Sequence, residues 1–223
     1  MYYFAYYIIY VEYVIRIGTL IKERKLKRSR GRPRKFDEDT ALEAARDVFW
    51  ANGFSATSLD DLADAMEMNR PSIYRAFGDK ETLYSSVLDQ FSSQMKSAMQ
   101  GTLFAESDLR KGLQGFYQIA LEIYLSGSQS KGCLVMSTAV TVAVCHAEIR
   151  EDLLSIIKII DKGLEQRLQF AIDEGQLPQD FDATARAAIA QSILHSLSLR
   201  ARAGESRKSL TRLLKAGVET VVS

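Results

Sequence analysis

The feature that most constrains this chain is an almost unbroken succession of helical repeats. From Phe36 to the C-terminus, apolar residues recur at three- and four-residue intervals, and most repeats lie between a capping residue and a glycine. Only three prolines occur in 223 residues, which argues against a loop-rich chain. Residues 132–145 are apolar nearly all round and rich in Val and Thr, which also suits a buried strand, but their helical neighbours favour a central buried helix. We therefore predict an all-α fold.

Capping residues delimit the first two predicted helices. Asp37 is a suitable N-cap for a helix that runs to about Asn52 and ends at Gly53. Thr57 is the predicted N-cap of the second helix, and Asp60, three residues later, completes a capping box. The two helices are therefore joined by a short turn.

A third, very short helix follows a break at Glu67 and Met68. Asn69 is its predicted N-cap, residues 70–77 form it, and Gly78 ends it. Two short helices joined by a tight turn are typical of a helix-turn-helix, and a small structural hairpin is the alternative. The expected inward positions are Leu59, Leu62, Ala63, Ile73 and Phe77, and the outward positions of the last helix are Arg70, Ser72, Tyr74 and Arg75. This outward set contains no acid and offers guanidinium and hydroxyl groups, which suit phosphate oxygens and guanine edges.

The rest of the chain is predicted to form a second helical region. Asp79 caps its first helix, and the later helices are predicted over residues 108–125, 147–174, 182–203 and 206–222. The proposed boundaries give an N-terminal extension over 1–28, a helix-turn-helix domain over 29–79 and a helical domain over 80–223.

The net charge of +1 conceals a strongly basic segment. Residues 22–35 contain nine Lys or Arg and one acid, so the remainder of the chain is acidic on balance. A basic arm on an acidic body suggests a polyanionic partner, although a solvated or membrane-flanking segment has the same composition. With two cysteines, no metal-ligand spacing, no phosphate loop and no paired acid–base set, the sequence favours a reduced cytoplasmic protein without a metal or cofactor, and disfavours an enzyme.

The first 21 residues are aromatic and β-branched, and are about as long as a membrane span. Glu12 and Arg16 would lie near or past the middle of such a span, where a charge is costly. A basic n-region and a small-residue cleavage site are missing, which disfavours a signal peptide. The segment is a translated leader, a disordered extension or, less favoured, a membrane anchor.

Residues 31–91 resemble the N-terminal domain of the TetR family of bacterial transcriptional regulators. In chain order, the resemblance is carried by RGRPRK at 30–35, Ala45 and Phe49, NGF at 52–54, Thr57 and Ser58, DLA at 61–63, and SIYRAFGDKE at 72–81. Two residues depart from the family pattern. Glu67 stands where the family usually has glycine, so we expect a turn of different shape, because positive φ is costly for other residues. Pro71 stands where a small residue is common and restricts the start of the last helix.

The resemblance implies that this domain binds double-stranded DNA. Tyr74, Thr57 and Lys80 are expected at phosphates, because the last two lie at helix N-termini, where free N–H groups attract anions. Arg70, Ser72 and Arg75 are the candidates for reading bases. Arg32 and Arg34 are expected along the backbone or in a minor groove.

The resemblance also implies a homodimer and a small-molecule effector. The last two helices form the dimer interface in this family, with Ala187, Ala190, Leu210, Leu213, Leu214, Gly217, Val218 and Val221 as the expected interface residues here. An effector pocket is expected among Phe91, Met95, Phe116, Tyr117, Tyr124, Met136 and His146. Intramolecular packing is the alternative for both sets, since apolar stripes are core by default.

The function that follows is a ligand-responsive regulator. A dimer without effector is expected to hold two recognition helices at the spacing of successive major grooves, and the effector to favour a conformation with another spacing. The alternatives are a regulator tethered to a membrane through residues 1–21 and a helical ligand-binding module without DNA recognition.

Overall fold

The structure is a computed structural model that describes residues 37–126 and 130–223. The predicted extension over 1–28 and the basic arm with Arg32 and Arg34 lie outside these residues. The helices are α1 (Glu38–Asn52), α2 (Leu59–Ala65), α3 (Arg70–Phe77), α4 (Lys80–Met99), α5 (Leu109–Tyr124), α6 (Val140–Val142), α7 (Ala147–Asp173), α8 (Ala183–Arg202) and α9 (Arg207–Val222). Two π-helical segments, Gln100–Phe104 and Val135–Ala139, continue α4 and lead into α6. The prediction of an all-α fold is confirmed for the described residues.

The first three helices pack around a small core that includes the start of α4. Leu62, Ile73 and Phe77 are buried as predicted, so α2 and α3 turn their apolar faces inward. Tyr84 of α4 completes this core, with its ring centroid 4.9 Å from that of Phe49 and 5.1 Å from that of Phe54. The predicted boundary at residues 79 and 80 falls at the N-cap of α4, inside a compact unit that comprises Glu38–Ser223.

The central helix is shorter than predicted. Helical structure covers residues 134–142, and the chain then turns before α7 starts at Ala147. Gly132 has φ of +66°, and a Cβ there would lie 2.8 Å from the carbonyl oxygen of Ser198, so glycine is required at this close approach. Val144, near the end of the predicted helix, is exposed. The apolar composition of this segment indicates burial on average, but it does not specify where the helix ends.

Most of the predicted dimer residues pack inside the chain. Ala187, Ala190, Leu210, Leu214, Gly217, Val218 and Val221 are buried, and Leu213 is half-buried. Gly217 lies against Ile193, and the Tyr117 hydroxyl donates to the Ala190 carbonyl at 2.9 Å. The apolar faces of α8 and α9 pack against the other helices of the same chain. This is the intramolecular packing that the amphipathic pattern also allowed.

Among the described residues, no helix has the length and apolarity needed to cross a bilayer.

Candidate DNA-binding surface and effector cavity

The capping box that starts α2 uses Ser58 rather than Thr57. The Ser58 hydroxyl accepts from the Asp61 N–H at 3.1 Å, and the Asp61 carboxylate accepts from the Ser58 N–H at 2.8 Å. These hydrogen bonds hold the pKa of Asp61 below its usual value. The prediction of a box between Thr57 and Asp60 is therefore wrong by one residue.

Thr57 is instead part of the core. Its side chain is 1% exposed, and its hydroxyl donates to the Gly53 carbonyl at 2.7 Å. Its N–H donates to the Phe54 carbonyl at 3.3 Å. Because both donors are satisfied inside the protein, the predicted phosphate contact through Thr57 is contradicted.

The turn between α2 and α3 places Glu67 at φ of +51°. The expectation that a residue other than glycine would avoid this conformation is wrong. The Met68 N–H donates to the Ala63 carbonyl at 2.9 Å, and the Glu67 N–H donates to the Asp64 carbonyl at 3.3 Å. These bonds satisfy two of the open carbonyls at the end of α2 and offset a backbone cost of about 1–2 kcal/mol.

Helix α3 starts at the predicted cap. The Asn69 side chain accepts from the Ser72 N–H at 2.9 Å, and Pro71 sits in the first turn, where a missing N–H costs little. Tyr74 is 50% exposed, Arg75 is exposed and Ser72 is half-buried. The outer face of α3 thus presents a phenol and a free guanidinium to solvent, since Arg75 forms no ion pair within residues 37–126 and 130–223.

Arg70, at the start of α3, is held by an acid from α2. Its guanidinium donates two hydrogen bonds to the Asp60 carboxylate, and the one from Nε is 2.7 Å long. We call this bidentate pair the Asp60–Arg70 fork. The contact lowers the pKa of Asp60 and raises that of Arg70. Asp60 was missed as a functional residue, because α3 considered by itself contains no acid. The fork fixes the direction of the first side chain of α3.

Lys80 was predicted at a phosphate, but its ammonium contacts protein groups. Nζ donates to the carbonyls of Phe54 at 3.0 Å and Thr57 at 2.8 Å, and lies 4.4 Å from the Phe54 ring centroid. These contacts tie the start of α4 to the loop before α2. One N–H of the ammonium remains for another acceptor.

A cavity of about 390 Å³ lies between α1, α4 and α5. Three of the predicted ligand residues, Phe91, Met95 and Phe116, line it. Trp50 and Arg46 of α1 line it as well, and sequence reasoning missed both, although Trp50 is the only tryptophan in the chain. The cavity therefore adjoins a helix of the DNA-binding unit.

The other predicted ligand residues lie elsewhere. Tyr124 and Met136 line a separate internal space of about 20 Å³, which is the size of one water molecule. Tyr117 is buried, and burial raises the pKa of its hydroxyl. His146 lies away from both spaces, since Nδ1 is 2.9 Å from the Glu81 carboxylate and its ring packs on Phe54. Tyr117 and His146 therefore line neither of these two spaces.

Neither cysteine belongs to a metal site among the described residues, in which no group of three or more potential ligands converges. Cys133 is buried, and burial raises the pKa of its thiol. Cys145 is exposed in the turn before α7.

A helix-turn-helix with a cationic outer face, carried on a larger helical bundle, defines a DNA-binding transcriptional regulator. Residues 41–87 match the family model described as bacterial regulatory proteins, tetR family, and residues 110–216 match the tetracyclin repressor-like C-terminal domain. The chain belongs to the TetR family of bacterial transcriptional regulators. This assignment confirms the predicted family and the prediction that the chain is a regulator rather than an enzyme.

Individual relatives agree with the family models. The chain is 30% identical over 189 residues to the HTH-type transcriptional repressor ComR of Escherichia coli K12, which covers 84% of this chain and 90% of ComR. It is 31% identical over 113 residues to the repressor BdcR of the same organism, covering 51% of this chain and 57% of BdcR. A cysteine mutant of the TetR family regulator CifR, solved with 26-bp operator DNA, superimposes with a TM-score of 0.78 at 30% identity, over 84% of this chain and 98% of that one.

Proposed function

We propose that this chain is a homodimeric repressor that binds a palindromic operator and is released by a small molecule. The observation that carries the proposal is the outer face of α3, where Tyr74 and Arg75 are exposed beside a fixed Arg70. ComR and BdcR are named as repressors, and CifR binds operator DNA, which supports the same role here.

The contacts divide into base-reading and phosphate-binding groups. Arg75 and Ser72 face the major groove, and Arg70 reads a base with the orientation that Asp60 imposes. Tyr74 binds a phosphate through its hydroxyl, whereas Lys80 acts mainly by positioning the start of α4. Arg32 and Arg34 remain proposed for the backbone or a minor groove.

A dimer interface needs residues that face solvent, and of the predicted set only Leu213 is not buried. The outer side of α8, together with its C-cap Ala203, carries an uncharged seam that consists of Ala185, Ile189, Ser192, the half-buried Ser196, Leu199 and Ala203. Its members are spaced alternately by four and three residues, the spacing of helices that pack side by side. Leu199 is 71% exposed, which favours a partner for this seam. On α9, Leu213, Ala216 and Thr220 form an uncharged strip that continues the proposed interface, flanked by the exposed Arg212, Lys215 and Glu219.

The effector is proposed to occupy the cavity beside Trp50. Its volume of about 390 Å³ falls within the range of ordinary small-molecule sites, and its walls are mainly apolar and aromatic. A ligand there touches α1 of the DNA-binding unit and α4 of the C-terminal domain at once. It changes operator affinity only by preferring one arrangement of these helices.

The DNA-binding part is tested by fluorescence anisotropy with genomic fragments that the purified protein selects. If a dimer contacts roughly eight phosphates, log K falls with log salt at a slope of about −7. Tyr74→Phe should lower the affinity for all DNA sequences alike, while Arg75→Ala should reduce the difference in affinity between operator and random DNA. Arg110→Ala, an exposed arginine on α5, is the matched control. A slope near zero, or equal effects of the Arg75 and Arg110 substitutions, would refute the assignment.

The dimer and effector parts have separate tests. Leu199→Glu should shift sedimentation to the monomer, while Leu154→Glu, an exposed leucine on α7, should not. Compounds that bind the cavity should change the fluorescence of Trp50, the single tryptophan, and release operator at the same concentration. A monomeric wild type contradicts the dimer, and release without any change at Trp50 contradicts this cavity as the effector site.

A further inference from the structure

A second groove, distinct from the cavity beside Trp50, lies between the C-terminal end of α4 and the middle of α7. Its volume is about 410 Å³, and its floor includes Met99, Phe104 and Ile159. Phe104 remains exposed although it is a large apolar side chain. Apolar surface of this kind on a small-molecule-sized groove favours a ligand with a hydrocarbon part.

The rim of this groove is positively charged. Lys96 of α4 and Lys158 and Lys162 of α7 line it, and none of its lining residues is acidic. All three lysines are exposed, and none forms an ion pair within the described part of the chain. Lys158 and Lys162 are four residues apart, so their side chains lie on one face of α7 about one turn apart.

Two acids in the middle of α7, Asp161 and Glu165, are directed toward α8. Glu165 accepts a hydrogen bond from Thr184 of α8, and Asp161 lies near His195 of α8. The middle of α7 is therefore divided, with its lysines toward α4 and these carboxylates toward α8. The lysine charge at the groove is left without a neutralising partner from this part of the helix.

A close approach between the two helices shapes the floor. A Cβ at Gly163 would lie 2.4 Å from Cε of Met99, so glycine at this position lets the Met99 side chain lie directly on α7. A larger residue would push the flexible Met99 side chain away from this position. The groove between α4 and α7 thus combines an apolar floor with a positively charged rim.

We propose that this groove binds a soluble single-chain amphiphile with an anionic head, the chemical class of a free fatty acid. The hydrocarbon chain packs on Met99, Phe104 and Ile159, and the carboxylate lies among Lys96, Lys158 and Lys162. This site is separate from the effector cavity, and binding to it does not depend on the proposed operator. Lysine ammonium groups suit the head because they are mobile point charges that need no fixed hydrogen-bond geometry.

The test is isothermal titration calorimetry of the full chain with dodecanoate below its micelle concentration. Dodecanol and dodecyltrimethylammonium share the chain length but lack the negative charge, and both should bind at least several-fold more weakly. The Lys158→Gln/Lys162→Gln variant should bind dodecanoate roughly two- to thirty-fold more weakly, which is the range expected for the loss of two exposed charge pairs. Lys111→Gln/Lys208→Gln, which neutralises two exposed lysines outside the groove, is the matched control. Raising the salt concentration should weaken the binding of dodecanoate but not that of dodecanol.

Gly163→Leu provides an independent variant, because it fills the floor without changing any charge. It should weaken dodecanoate while circular dichroism confirms retained helix content. Equal binding of dodecanoate and dodecanol, or equal affinities of the groove and control lysine variants, would overturn the proposal. Binding only to vesicles that contain an anionic lipid, and not to monomeric dodecanoate, would also overturn it in favour of a membrane-surface contact.

Discussion

Arg167 of α7 provides a sharp test of how this bundle is held together. Its side chain is 1% exposed, and its guanidinium donates to the carbonyls of Leu103 at 2.8 Å, Glu106 at 3.2 Å and Ser107 at 3.0 Å. These carbonyls end the π-helical segment after α4 and lead into α5. Burial lowers the pKa of Arg167, but an arginine still stays protonated in a protein.

We predict that Arg167→Met destabilises the fold by about 3 kcal/mol. Each hydrogen bond from a charged donor contributes about 1.5–3 kcal/mol, and the desolvation of the guanidinium offsets part of the sum. The carbonyls of Glu106 and Ser107 are only partly buried and can regain water, which keeps the estimate near the lower end of the range for broken buried pairs, whereas the Leu103 carbonyl stays buried. Methionine fills much of the vacated volume, so the loss reports the hydrogen bonds rather than a cavity.

Urea unfolding followed by circular dichroism measures this loss. A slope of about 2–3 kcal/mol per molar urea converts it to a fall of about 1–1.5 M in the midpoint. Arg110→Met, which removes an exposed ion pair with Glu219, is the control and should cost less than about 1 kcal/mol. A wild-type midpoint for Arg167→Met would show that the buried guanidinium makes no net contribution to stability, and the reasoning would fail.

Three further outcomes follow from local contacts. Ser58→Ala should cost about 1 kcal/mol in urea unfolding because α2 loses its N-cap, and an unchanged midpoint would contradict the observed capping box. Gly132→Ala should destabilise by more than about 2 kcal/mol, because the new Cβ meets the Ser198 carbonyl and φ is positive, and a smaller loss would show that the backbone gives way. Asp79, whose pKa is lowered below the usual 3.8 by hydrogen bonds from Thr82, contributes stability that is present above pH 3.8 and is lost as pH falls through the lowered value. The fall in wild-type urea midpoint in this acidic range should be smaller in Asp79→Asn, and identical pH profiles would argue against the contribution.

Helix ends were predictable from sequence where the signal is local. Asn69 and Asp79 cap the helices that follow them as predicted, because a side-chain oxygen and an N–H three residues later are enough to define the start. The start of α2 was harder. Thr57 and Ser58 are both good caps and both have an aspartate three residues later, and only the burial of Thr57 decides between them.

Features that depend on tertiary packing were not predictable in this way. The repeat in α9 correctly indicates an apolar face, but Leu214 and Val218 are covered by the same chain rather than by a second copy. Phe91 and Tyr117 both fit a helical stripe, yet one borders the cavity and the other is fully enclosed. The Asp60–Arg70 fork joins two helices across a turn, which no single-helix pattern reveals.

The contacts of Lys80 have a mechanical consequence. Because its ammonium donates to the carbonyls of Phe54 and Thr57, we expect the loop before α2 and the first turn of α4 to move together. Helix α4 has 20 residues and is therefore about 30 Å long, so a tilt of about 10° at one end sweeps the other by about 5 Å. In the proposed dimer, a displacement of this size would move the two α3 helices out of register with successive major grooves, without breaking the hydrogen bonds within either helix-turn-helix. The proposed dimer would then release DNA through a tilt of α4, without local unfolding.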